Sequence, residues 1–189
     1  MTTDELEAKQ RIFEAVTALL QEELVTEKIT MRRIAERTKV GVGLINYHFQ
    51  SREKLLNEVV NQTMTTAAEV WLDPTRTAEV PALQRLRNIL NETAQISAKY
   101  PQFTEISVTY DLLHGDLGIE KMIIPILREH FGPLKTELEI KAYALMLISA
   151  LQVTLLRRNE FKAYCGINIF DDKQRDFLID LMLNLIVNK

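Results

Sequence analysis

The chain has 189 residues, 47% of them hydrophobic and 26% charged, with only six Gly and five Pro. This is the composition of a well-packed, helix-rich protein, and it excludes global disorder and a large multidomain enzyme. The formal net charge is −3, which by itself gives no sign of a nucleic-acid partner, and one cysteine, Cys165, rules out an internal disulfide or a multi-cysteine metal site.

Taken in chain order, the pattern is helical nearly throughout. Ile12, Phe13, Val16, Leu19 and Leu20 recur three and four apart, giving a first helix from Asp4 to about Leu24 with Thr2 and Glu5 as a capping box. Thr30 caps a short second helix that buries Ile34 and Ala35. Thr38 and Lys39 end it, Gly41 starts a third short helix over 42–48, and Ser51 caps a fourth. Two short helices joined by a tight turn form a helix-turn-helix, whose second helix enters the DNA major groove.

Charge is concentrated on the same stretch. Residues 28–54 carry seven basic side chains (Lys28, Arg32, Arg33, Arg37, Lys39, Arg52, Lys54) against two acidic ones, whereas 1–27 and 55–189 are both net acidic. A basic run of this length also occurs on ordinary solvated surfaces. Its coincidence with the motif is what points to a polyanion.

Farther along, helix four runs from Arg52 to about Trp71, and Asp73-Pro74-Thr75-Arg76 is the clearest break. The spacing then predicts helices over 80–100, from Pro101, over 118–130 and ended by Gly132, and a long one from Pro133. A looser stretch, 159–170, precedes a last helix capped by Asp171 or Asp172. The final two helices are apolar over more than one stripe, as expected if one face meets the core and another a partner. With no run of 18 apolar residues and a polar, acidic beginning, neither a signal peptide nor a membrane span is expected. Catalytic and cofactor motifs are lacking: there is no HExxH, GxSxG or glycine-rich phosphate loop, and the His residues lie apart at 48, 114 and 130. Asp111 and His114 fall short of a metal set. No enzyme activity, cofactor or metal is expected.

The stretch from Thr30 through IAERTKVGVGLINYHF to REKLL resembles the N-terminal DNA-binding domain of the tetracycline-repressor-like (TetR) family of bacterial transcription regulators. Thr30, Ile34, Ala35, Val40, Gly43, Ile45, Tyr47, His48, Phe49, Glu53 and Leu55 or Leu56 match its pattern over about a quarter of the chain. The chain departs from it at Lys39, where a turn glycine is usual, at Gly41 in place of a capping serine, and at Leu44 and Asn46.

The resemblance implies an all-α protein: a three-helix helix-turn-helix domain over 1–56, and a larger helical ligand-binding and dimerisation domain over 57–189. On this reading Val42 and Leu44 meet thymine methyls and Asn46 pairs with adenine. Tyr47 and His48 touch the phosphate backbone, Lys54 clamps a phosphate at its helix N-terminus, and Thr30, Arg32 and Arg33 do similar work. Leu44 can equally be a core leucine, and the alternative for His48 is a structural residue at a helix end. Trp71, Phe103, Tyr110, His114, Met122, Ile126 and Met146 are the candidates for an apolar effector pocket, and Leu145, Ser149, Leu156, Phe177, Leu181 and Leu185 for a dimer surface. The expected protein is a cytoplasmic, homodimeric repressor of a palindromic double-stranded DNA operator, released by a small-molecule effector. The competing reading is an all-helical ligand-binding or adaptor protein that keeps the module without using it on DNA.

Overall fold

In a computed structural model, residues 3–23, 25–73, 75–115 and 117–187 are described, with Thr3, Asp4, Glu5, Ala67, Val70, Phe103 and Val187 described as backbone only. Thr2 and Pro74, part of the expected capping box and break, and the side chains of Glu5 and Phe103 therefore lie outside what is described. Every regular element described is helical. In order they are α1 (Thr3–Glu22), α2 (Met31–Thr38), α3 (Val42–Phe49), α4 (Arg52–Leu72), α5 (Ala82–Lys99), α6 (Pro101–His114), α7 (Gly118–Phe131), α8 (Glu137–Leu156), α9 (Arg158–Cys165) and α10 (Asp172–Val187), with short 3₁₀ turns at Thr26–Lys28 and Gly132–Leu134.

Local chemistry sets most of the boundaries. Thr30 Oγ1 accepts the Arg33 amide at 3.2 Å to start α2, and Ser51 Oγ accepts the Lys54 amide at 3.1 Å to start α4. Lys39 ends α2 in the left-handed region, φ 57° and ψ 26°, at the position where the sequence departs from glycine. Asp171, rather than Asp172, caps α10, since its Oδ1 accepts the Gln174 amide at 3.0 Å.

Two expectations need correction. The long helix does not start at Pro133: Gly132, at φ 52°, opens a 3₁₀ turn, and a capping box between Thr136 and Glu139 starts α8 at Glu137. The stretch 159–170 is also more ordered than expected. It contains α9, stopped by Gly166 in the left-handed region at φ 77°.

The apolar side chains form two clusters. The first joins α1 to α4: Ile12, Leu19, Leu20, Ile29, Ile34, Ile45, Phe49, Leu55 and Leu56 are fully buried, and it continues through Val59 and Val60. Ile96, Tyr100 and Ile106 of α5 and α6 pack against it, and buried Gln102 donates Nε2 to the Leu20 carbonyl at 2.7 Å. The second cluster fills the space among α5, α7, α8 and α10 around Leu86, Ile89, Ile123, Leu127, Leu147, Leu151 and Ile179. Polar ties cross it: Arg87 donates Nη2 to Asp180 at 3.0 Å, and buried Arg85 pairs with Glu129.

α4 is shared, its first turns in one cluster and Ala68, Trp71 and Leu72 in the other. α8 is long and apolar enough, by length and composition, to cross a membrane, with 44% of its most apolar window buried. Its inner side packs on α7, α6 and α5, while Leu138, Leu145, Met146 and Val153 are exposed.

Candidate nucleic-acid interface and cavity

α2 and α3 pack on each other across the turn Lys39-Val40-Gly41, and α3 lies against α4. Ile45 and Phe49 anchor α3 in the first cluster with no exposure. The same period turns Val42, Leu44, Asn46 and Tyr47 outward, and Tyr47 is 75% exposed. Leu44 is therefore an exposed apolar side chain and not a core leucine. One outward face thus offers methyl groups, an amide and a phenol, which are the groups that read base edges and phosphates.

The link to α4 is tight. Ser51 donates its amide to the Phe49 carbonyl at 2.7 Å across Gln50, whose φ of 65° and ψ of −49° make this a strained γ-turn. Lys54 Nζ donates to Gln50 Oε1 at 3.2 Å, which holds the lysine beside the end of α3 and over the N-terminus of α4. His48 is half-buried and packs edge-on against Tyr47 and Phe49, with ring centroids 5.3 and 6.2 Å away. Its Nε2 is turned inside without a hydrogen-bond partner.

The basic run is less free than its charge implies. Arg37 makes two 2.7 Å hydrogen bonds to Glu22, and Arg33 pairs with Glu23 at 2.7 Å, so both brace α2 against the end of α1. The Arg37 bonds hold the Glu22 carboxyl below its ordinary value and raise the guanidinium. Arg52 Nε donates to the Ile29 carbonyl at 2.6 Å, and its Nη2 to the Thr26 carbonyl. Arg32 meets Glu36 at 3.2 Å with both side chains mostly in solvent, an exchangeable pair, and Thr30, Lys28 and Lys39 are exposed.

A cavity of about 550 Å3 lies among α4, α5, α6, α7 and α8. Its walls include Met64, Ile89, Leu90, Val108, Met122, Ile123, Ile148, Leu151 and Leu155, with Asn61, Thr93, Ser107, Asp111, Glu120 and Gln152 as polar members. At the α4 side Ser107 donates Oγ to Asn61 Oδ1 at 2.8 Å, and Asp111 accepts from Asn57 at 3.4 Å and Asn61 at 3.5 Å. Gly115 closes the α6 end. A Cβ there would stand 2.5 Å from the Asp111 carbonyl oxygen, so the backbone can approach only without a side chain.

Of the expected pocket residues, Met122 lines this cavity. Trp71 lines a separate polar concavity with Asn88, Asn91 and Arg175, and donates Nε1 to Glu92 at 2.6 Å. Tyr110 packs edge-on against exposed His114 with ring centroids 5.3 Å apart, Ile126 is buried in the second cluster, and Met146 is 63% exposed on the outer side of α8. Leu145 and Ser149, expected on the dimer surface, line the cavity, and Leu156 is half-buried. Phe177, Leu181 and Leu185 stand exposed along α10.

Sequence reading missed Asn61, Ser107, Glu120 and Gln152. A signal existed for the first two. Asn57 and Asn61 interrupt the apolar stripe of Leu56, Val59 and Val60 at a four-residue spacing, and Ser107 and Asp111 repeat that spacing on α6. Among the described residues, no three His, Cys, Asp or Glu side chains come together as a metal site.

Comparison with curated proteins returned no match. Residues 26–59 match the family model described as bacterial regulatory proteins, tetR family, so the helix-turn-helix module is similar to that of this family, which supports a DNA-binding regulatory role for it.

Proposed function

We infer that the protein is a cytoplasmic bacterial repressor that binds a palindromic operator as a homodimer and is released by a small molecule held in the cavity. The observation that carries this reading is the outward face of α3, Val42, Leu44, Asn46 and Tyr47, with Lys54 fixed beside it at the start of α4. In this reading residues 1–56 read DNA, and 57–189 hold the effector and the second subunit.

A single module covers one half-site, so two copies are needed for a palindrome. The exposed apolar side chains of α8 and α10 supply a surface for the second copy. Covering it also accounts for the apolarity of α8, without any membrane. Effector action follows from α4, which is continuous from Lys54 to Asn61, a distance of about 10 Å. A ligand that favours one setting of α4 at Asn61 shifts the equilibrium between DNA-competent and incompetent arrangements by its differential affinity for them.

The test is selection of bound duplexes from a random-sequence pool, repeated with Tyr47→Phe and Lys54→Ala. The expected result is a palindromic motif, with both variants weakened. Lys54→Ala should weaken all sequences alike and reduce the slope of log affinity against log salt by about one. A folded preparation that enriches nothing would favour the adaptor reading.

A further inference from the structure

The charge of the cavity restricts what it can hold. Asp111 and Glu120 are both in its lining, whereas the described lining contains no Lys, Arg or His and no aromatic ring. Asp111 is served by donors, Asn57, Asn61 and Ser107. Glu120 is different. It is 8% exposed and lines the cavity, and among the described residues no hydrogen bond or ion pair reaches its carboxylate. Its place in the first turn of α7 lets the helix dipole favour the carboxylate, and no described group competes for it with a donor that a ligand brings into the cavity.

The geometry points to an organic cation as the ligand: an aliphatic amine with at least one N–H, its ammonium group on Glu120 and its chain against Met64, Ile89, Met122, Ile148 and Leu151. This rests on the reading of the cavity as the effector site. An anion would join two carboxylates with no basic group in the described wall. A quaternary ammonium has no N–H to give, and the described wall offers no aromatic face to hold it. A volume of about 550 Å3 suits a small amphiphile.

The test uses the full chain and four probes with the same apolar tail, octylamine, 1-octanol, octanoate and octyltrimethylammonium, titrated by calorimetry. Octylamine should bind at least about tenfold tighter than octanol, with octanoate and the quaternary probe weaker than octylamine. Glu120→Gln should erase the preference for amine over alcohol while leaving octanol affinity within about twofold. It should also melt close to the parent, since it breaks no hydrogen bond or ion pair among the described residues. Glu120→Met repeats the comparison with a similar volume and no polar atom, and Glu105→Gln, on the exposed side of α6, controls for overall charge.

Equal affinity for octanol and octylamine, or a preference that survives in both Glu120 variants, overturns the inference, as does its loss in Glu105→Gln. Operator affinity measured in the same titrations separates the two readings. Amine binding selected by Glu120 with unchanged DNA affinity retains the cation site and refutes the effector role, whereas no binding by any probe refutes both.

Discussion

The two ends of α4 lie in regions built on different terms. Around its first turns, the module of α1 to α3 is tightly buried: its key apolar side chains have almost no exposure, each short helix is fixed by a cap or a special turn, and its reading residues point outward. Around its later turns, the body is packed with reserve. It holds a cavity, lines it with a carboxylate, Glu120, that no described group meets, and leaves apolar faces of α8 and α10 uncovered. A DNA groove has fixed dimensions, so a module that reads it gains from rigidity. On the proposed function, a ligand and a second subunit would complete their binding surfaces on arrival, and a body built to receive them would carry unsatisfied groups until they do.

The most severe way to break this contrast is to open the tight core. Phe49→Ala should cost about 3–5 kcal/mol in urea unfolding, because the ring is fully buried between α1 and α4. A loss below about 1 kcal/mol would mean the module packs as loosely as the body. Next in size, Phe177→Glu with Leu185→Glu should convert a dimer to monomers in sedimentation equilibrium and lower operator affinity by about a hundredfold, since the second half-site no longer binds as part of one molecule. A dimer that survives both charges locates the subunit surface elsewhere.

Smaller effects sharpen the picture of the module. Lys39→Gly should raise thermal stability by about 0.5 kcal/mol, the left-handed strain relieved less the added freedom of the unfolded chain. The smallest effect concerns pH. Glu22 has its folded value lowered by Arg37, so its stabilisation is complete above the ordinary value of 4.5 and disappears as pH falls through the lower folded value. A carbon chemical-shift titration of Glu22 should show that depressed midpoint, and Arg37→Gln should return it toward 4.5.

The same contrast explains what could be read from residues alone. Thr30, Ser51 and the left-handed Lys39 act within three or four positions of their own place in the chain, so cap and turn rules place α2, α3 and α4 almost to the residue. The cavity depends on which sides of five helices converge, and that is a tertiary fact. Met122 was accessible because it lies on an inward stripe of α7, but Met146, equally apolar, points outward. The start of α8 was misplaced because Pro133 is a strong local signal, and the capping box of Thr136 and Glu139 outcompetes it three residues on. The basic run was legible as a sum, but the ion pairs within it were not. Which arginines face outward depends on Glu22 and Glu23, residues that local spacing does not pair with them.

Arg52 shows how the halves of the molecule can communicate. Its guanidinium is held by the carbonyls of Thr26 and Ile29, so the first residue of α4 is riveted to the connection between α1 and α2. The Gln50 turn fastens that same residue's neighbours to the end of α3. A displacement entering along α4 therefore has no slack to take up inside the module, and it arrives as a change of pose rather than a change of shape. If the protein works as the proposed effector-released dimer, a signal transmitted this way would be recorded in the separation between two reading heads, each internally unaltered, and a distance probe spanning such a dimer is the instrument that would see it.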